Sequence, residues 1–335
     1  MTRCARPIPP AAHAAESRAV RPYRALTSPE RSADGQTPVD CAVLVVTYNS
    51  ADHIGALLAS LPAAAEGLRL RTVVVDNGST DGTIELLRSR SDVELIQSEA
   101  NLGYAGGINL ARRHAGPCAS MAVLNPDLAL EPGALRRLAQ ALRDPAVGVA
   151  VPLIVDGAGQ LVFSLRREPS LGRALGDALF AGRFSRRPGW LSEIVRDEHS
   201  YRYRQPVEWA TGAVMMLSAA CDAAVGPWDE RFFMYSEEVD HAGRARAAGF
   251  RMDYVPTAKA RHLAGGSGSS RELIALMAVN RVRYIEKRDG RARLFRVLVT
   301  LHELLRLHDP AHRFAVRTLT RRSRWSHLPG GAATR

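Results

Sequence analysis

Cysteine is scarce: the 335 residues contain four (Cys4, Cys41, Cys118, Cys221), widely scattered and with no CxxC pair. That spacing excludes a zinc knuckle or a disulfide framework and fits a reducing cytosol. No run approaches the roughly 20 uninterrupted apolar residues of a membrane-spanning helix. A basic-then-apolar signal pattern is missing too. The opening "MTRCARPIPPAAHAAESRAVRPYRALTSPE" is rich in Pro, Ala and Arg and reads as a disordered leader over 1–39. There are no internal repeats. Hydrophobic content of 46% with 24% charged residues is ordinary for a globular chain, and the length permits one large domain or two.

Charge is present but unevenly placed. The net +11 is concentrated in residues 281–335, with 14 Lys/Arg against 4 Asp/Glu, while 41–280 balances 25 against 26. A nucleic-acid-binding module would carry its basic patch on the folded domain, so the near-neutral middle argues against that class and no nucleic-acid partner is expected. The basic tail interleaves Arg with Leu, Val and Phe. It either lies as an amphipathic helix on an anionic membrane surface or packs on the rest of the chain with a solvated basic face.

Between those ends, short β-rich apolar runs alternate with helical spacing. "CAVLVVTYNS" (41–50), "TVVVD" (72–76), "DVELIQSE" and "SMAVLNPDLAL" read as buried strands. The segments after the first three, with Ile54, Leu57, Leu58 and Leu61 in the first, read as helices. This alternation predicts a mostly parallel sheet wound with helices. Ligands bind beyond the carboxyl ends of such strands, where Asn49, Asp76 and Asp127 fall. Residues 170–205 read as a basic, aromatic loop region and 271–307 as helical.

Each polar motif has a structural reading beside a functional one. Asp76 can open an Asx turn before Asn77-Gly78 or accept a ligand donor. "NLGYAGGINL" (101–110) lacks the GxGxxG spacing and is either a close-packed turn or a substrate contact. Asn125-Pro126 signals a turn, and His262 alone reads as a loop histidine. "SEEVDHAGR" (236–244) packs Glu237, Glu238 and Asp240 within four positions. It is either a solvated helix start or the seat of a base with a raised pKa, and Asp240 and Arg244 are i,i+4 partners.

In order, these motifs resemble glycosyltransferase family 2, the inverting GT-A enzymes, from about Ala42 to His262. "DERFFMYSEEVDHAGR" is similar to that family's segment carrying the general base. The resemblance implies an α/β GT-A, Rossmann-like domain over 40–270 and a helical basic extension over 271–335. It further implies that "VVTYNS" and "VVVDNGSTDGT" bind the nucleotide through Thr47, Tyr48, Asn49, Asp76 and Asn77, with Asp76 accepting the N3–H of uracil or thymine. Asn101, Gly103 and Asn109 would lie near the sugar nucleotide. Asn125 and Asp127 stand where the family has Asp-x-Asp, so Asp127 with His262 would hold Mn²⁺ or Mg²⁺.

Glu238 takes the base position, where Asp is usual, with Asp240 and Arg244 counted beside it. The extra methylene moves the carboxylate by roughly 1 Å, a shift that can be costly. Trp209, Gly212 and Glu237 would shape the acceptor site. "SLRREPSL" resembles a rhamnosyltransferase segment, implicating dTDP-rhamnose as donor and Arg166 as a diphosphate contact. The expected partners are a dTDP- or UDP-sugar and a glycan or lipid-linked saccharide, in the cytoplasm or on the cytoplasmic face of a membrane. The alternative is a catalytically weakened relative that binds nucleotide sugar or glycan.

Overall fold

The computed structural model describes residues 37–180, 187–263, 270–288 and 290–330. Most of the expected leader, and Cys4 with it, lies outside the described residues. The first half alternates as the pattern predicts: β1 (Val39–Thr47), α1 (Ala51–Ala65), β2 (Leu70–Asp76), α2 (Thr83–Arg88), β3 (Val93–Gln97), α3 (Gly103–His114) and β4 (Cys118–Leu124). It continues through β5 (Leu128–Leu130), α4 (Ala134–Ala141), β6 (Val147–Asp156), β7 (Leu165–Arg166) and α5 (Leu171–Phe180). The second half holds β8 (Gln205–Val207), β9 (Trp209–Ala210), β10 (Val214–Ser218), α6 (Ala219–Val225), α7 (Glu237–Ala247) and β11 (Arg251–His262). Three helices follow, α8 (Arg271–Arg288), α9 (Ala292–Leu304) and α10 (Pro310–Thr320).

The main sheet runs β3-β2-β1-β4-β10-β6-β11-β5, with β8 paired to β11. The β3-β2-β1-β4 half is parallel, as the strand–helix alternation requires. The other half is mixed. β10 runs antiparallel to both β4 and β6, β11 is parallel to β6, and β5 is antiparallel to β11. The sheet is therefore less uniformly parallel than the pattern suggests: β5 follows β4 after a short turn and β10 follows β9 after a loop, while helices still separate β5 from β6 and β10 from β11.

Both faces of the sheet are covered, which is why β1 reads as an unbroken apolar run. Its alternate residues divide between two cores: Val43 and Val45 face Ile54, Leu57, Leu135 and Leu138 of α1 and α4. Ala42, Leu44 and Val46 face the side that also holds Ile108, Val239, Val279 and Phe295 of α3, α7, α8 and α9. The C-terminal helices thus belong to the same hydrophobic core as the sheet. The span expected to be loop at 170–205 contains α5, which packs against α9. Arg173, Asp177 and two glycines interrupt its apolar spacing and masked the helix in the sequence.

Candidate functional site

The parallel strands β1, β2 and β4 deliver their carboxyl ends to one rim, and a cleft of about 320 Å³ opens there. Thr47, Tyr48, Asn49, Asn77, Asn101, Gly103, Asn125 and Asp127 line it, joined by Tyr104, His53 and Met234. Short bonds hold these segments, some of them far apart in sequence, in place. Asn77 Nδ2 donates to the Gly103 carbonyl (2.9 Å), and Asn101 Oδ1 accepts from the Gly103 N–H (2.9 Å). Asn49 Oδ1 accepts from the Thr80 N–H at 2.8 Å. Gly103 has φ +72°, and a Cβ there would lie 2.5 Å from the Phe233 carbonyl and ring, so only glycine fits.

Asp76 does not line this cleft. Its carboxylate is fully buried and spent: Oδ1 accepts from the Gly78 and Ser79 N–H groups, and Oδ2 from the Thr47 and Ser79 hydroxyls. With both oxygens doubly engaged, Asp76 holds the loop and has no acceptor left for a pyrimidine, contrary to the sequence expectation. Asn109 is likewise occupied. It bonds to both the backbone N–H and the carbonyl of Trp228 and to Glu230, away from the cleft, so its place beside the sugar nucleotide is not borne by the geometry.

At one end of the cleft the β5–β11 pairing sets His262 opposite Leu128 and brings its ring to Asp127. Nε2 of His262 lies 3.0 Å from Asp127 Oδ2, yet the two are not aligned as a hydrogen bond, and Asp127 Oδ1 is buried with no partner. Among the described residues no group of three His, Cys, Asp or Glu side chains could hold a metal by itself. The pair supplies one carboxylate and one imidazole. That donor set fits a divalent cation only if oxygens from a bound diphosphate complete its shell.

Beyond Tyr104 lies a second cavity of about 460 Å³, between α7, β9 and the C-terminal helices. Glu238, Trp209, Thr211, Tyr235 and Arg166 line its inner end. Tyr104 forms the partition. Its hydroxyl donates to the Gly212 carbonyl (3.3 Å), and a Cβ at Gly212 would sit 3.6 Å from Glu238 Cβ. Burial drives the Tyr104 hydroxyl pKa well up, helped by the charges of Glu237, Glu238 and Asp127. One phenol therefore feels the acids on both sides.

The two glutamates differ. Glu237 is 4% exposed, its Oε2 has no partner, and burial and then the neighbouring Glu238 push its pKa well up. It faces the partition instead of the cavity, so it does not line the acceptor side as expected. Glu238 is half-buried and opens on the cavity. Burial raises its pKa, while backbone N–H groups and the Arg166 guanidinium offset part of the rise. Arg166 lies on this side and not in the nucleotide cleft, its Nη1 donating to the Phe163 and Leu165 carbonyls. Trp209 is fixed by its indole N–H donating to the Arg167 carbonyl (2.9 Å).

Asp240 and Arg244 are not part of the constellation. Asp240 is buried on the opposite side of α7, with Arg244 Nε at 2.8 Å from Oδ2 and Lys287 Nζ at 2.6 Å from Oδ1. Arg244 also donates to the Val225 carbonyl. The i,i+4 spacing favoured this structural pairing, and the geometry corrects the catalytic assignment.

Two residues escaped the sequence reading. Tyr104 follows a glycine in what reads as a plain turn. Asn280 sits on α8, where nothing marks it, yet its fully buried Nδ2 donates to the carbonyls of Phe232, Met234 and Tyr235 at 2.6, 2.8 and 3.1 Å. Those carbonyls belong to the loop that carries Phe233, Tyr235 and Ser236 at φ 62°, 69° and 72° into the start of α7. Three non-glycine residues at positive φ are costly and need such a clamp. No single-sequence signal points to it.

A family model for glycosyl transferase family 2 matches residues 42–201. The chain is 35% identical over 232 residues to an N-acetylglucosaminyl-diphospho-decaprenol L-rhamnosyltransferase of Mycobacterium tuberculosis, covering 66% of this chain and 75% of the relative. It is 30% identical over 210 residues to the low-salt glycan biosynthesis hexosyltransferase Agl10 of Haloferax volcanii, 62% of each. Among solved structures, GalNAc-T7 with UDP, GalNAc and Mn²⁺ superposes with a TM-score of 0.52 at 14% identity, covering 74% of this chain and 48% of that one. The mannosyltransferase PcManGT from Pyrobaculum calidifontis with GDP-Man and Mn²⁺ gives 0.50 at 20%, covering 88% and 78%. These two likenesses establish the fold.

Proposed function

Because the chain belongs to glycosyl transferase family 2, we propose that this glycosyltransferase is an inverting enzyme with the cleft as its donor site and the second cavity as its acceptor site. The donor is a nucleoside-diphosphate hexose, with dTDP-rhamnose the first choice, and the acceptor a saccharide carried on a polyprenyl diphosphate. Supporting both choices is the name of the relative from M. tuberculosis. The observation that carries the reading is the Tyr104 partition, with Asp127 on its donor side and Glu238 on its acceptor side.

In this reading Tyr48, the Asn101 amide N–H and the backbone around Gly103 receive the nucleoside in place of the spent Asp76, with Asn77 holding that backbone. Asp127 and His262 would hold a divalent ion, which when bound neutralises charge on the departing diphosphate. The acceptor saccharide enters over Trp209 and Tyr235. Cations and acids alternate along that cavity: Arg166 and Arg281 against Glu193 and Glu238. Such a lining suits a neutral polyhydroxyl better than a free anion. Glu238 takes the proton of the attacking hydroxyl as its oxygen bonds to the anomeric carbon from the face opposite the leaving group. The carbon–oxygen bond to the diphosphate breaks, and the nucleoside diphosphate departs with the electron pair.

The test is turnover. Purified protein is given dTDP-rhamnose or other nucleotide sugars with an N-acetylglucosaminyl-diphospho-lipid, with Mn²⁺, Mg²⁺ or chelator. The reading expects a glycosylated lipid with one donor and its loss on chelation. No product with any donor, alongside retained nucleotide-sugar binding, would instead favour a weakened binding relative. Glu238 and Asn125 at positions where the family has Asp favour that second reading.

A further inference from the structure

Glu303 and Asp309 are the acids of residues 290–330, and both are used internally. The buried Glu303 carboxylate meets His312 Nδ1 at 2.5 Å, and Asp309 caps α10 by accepting from the Ala311 N–H at 2.8 Å. Arg293, Arg296 and Arg306, on and just after α9, make no ion pair among the described residues. Next to these uncompensated cations α9 turns an apolar face outward. Leu294, Val297, Leu301 and Leu305 are 45–56% exposed at i, i+3, i+7 and i+11 spacing. In a helix that spacing confines them to one narrow stripe.

The neighbouring helix extends the stripe. α5 packs on α9, where His302 Nδ1 lies 3.0 Å from the Asp177 carbonyl. Leu175 and Leu179, one turn apart on α5, are 42% and 66% exposed. Exposed apolar residues gathered on two packed helices, with unpaired arginines on one of them, mark an interaction surface more than scattered surface leucines do. No helix among the described residues is long and apolar enough to cross a membrane. His302, Glu303 and Arg306 also line the outer end of the acceptor-side cavity, so the patch adjoins the cavity mouth.

We infer that the α5–α9 face is a docking surface for an anionic lipid bilayer. Its leucines enter the interfacial region while Arg293 and Arg296 meet lipid phosphates. The inference is independent of the transfer reaction. It narrows the expectation of a membrane-lying basic tail to one face of one helix pair, while Val279, Val282, Phe295, Val299 and Leu319 of α8–α10 are packed in the core.

The test is co-sedimentation of the full chain with phosphatidylcholine vesicles, with and without phosphatidylglycerol. Wild type should pellet with the anionic vesicles and less so as salt is raised. The Leu294→Ser/Leu301→Ser double variant should lose about tenfold or more in apparent binding, and Arg293→Gln/Arg296→Gln should bind neutral and anionic vesicles alike. Arg293, Leu294 and Leu301 are exposed and Arg296 is half-buried with no ion pair to lose among the described residues, so melting temperatures should stay near the wild-type value. Transfer to a short-chain, water-soluble acceptor should be unchanged in both variants. Wild type remaining in the supernatant, or the leucine variant pelleting like wild type, would overturn the inference. So would a wild-type dimer that the leucine variant dissolves in the absence of vesicle binding, which makes the face a contact between copies.

Discussion

Glu237 and Glu238 stand side by side and carry opposite burdens. Glu238 faces a cavity and has Arg166 near it; Glu237 is enclosed and faces another acid. Replacing Glu238 with Gln should lower kcat by about 10²–10⁴ with little change in KM, measured by steady-state transfer assays. Because burial raises the pKa of Glu238, the acid limb of kcat/KM should fall at a higher pH than an ordinary carboxylate would give. Glu237 makes the complementary prediction about stability. A carboxyl whose folded pKa is raised binds its proton more tightly in the native state, so its contribution is intact below the ordinary carboxylate range. That contribution is lost as pH rises through the raised value. Glu237→Gln should therefore gain melting temperature relative to wild type at about pH 8 and show no gain at about pH 5, read by thermal melts across that range.

At the scale of elements, the start of α7 depends on a loop that the backbone alone would not choose. Positive φ at Phe233, Tyr235 and Ser236 is held by Asn280 from α8 on one side. From the other, the Tyr104 and Ala105 N–H groups donate to the Phe233 carbonyl. Asn280→Leu keeps the branched outline at a somewhat larger volume, removes the donor and strands three carbonyls. It should cost about 1–3 kcal/mol by denaturant titration, and kcat should drop more than KM rises because Glu238 follows directly on that loop. Gly103→Ala forces a Cβ to within 2.5 Å of the same loop and adds strain at φ +72°. It should lose at least about 1 kcal/mol and weaken nucleotide binding in isothermal titration. Neither residue could be weighted from the sequence: Gly103 is one glycine of three in a turn, and Asn280 one polar residue in a helix.

For the whole molecule, the C-terminal helices are part of the packed body. Ala275, Leu276, Val279, Val282, Phe295, Val299 and Leu319 are buried in the core that also holds Leu44 and Met215 of the sheet. Removing 281–335 as a way of probing the basic tail would therefore open that core. The expected product of such a truncation is an aggregating or molten chain with no cooperative melt, checked by calorimetry, and not a domain with intact nucleotide binding. Surface substitutions on α9 probe the tail without that cost. The same packing explains why the second cavity was illegible: its outer wall comes from α5, α8, α9 and the loop beyond, and its inner wall from β9 and α7, so its lining is gathered from residues 166 to 312.

The linear order of residues was enough for the strand–helix alternation, for the parallel half of the sheet with its polar strand ends, and for the family to which the chain belongs. Those features rest on local periodicity and on motifs a few residues long. Three matters were settled by tertiary contacts alone: the saturation of Asp76, the pairing of Asp240 with Arg244 and Lys287, and the Tyr104 partition between two cavities. Whether a carboxylate is free or spent depends on which donors the fold brings within 3 Å of it, and those donors come from elsewhere in the chain.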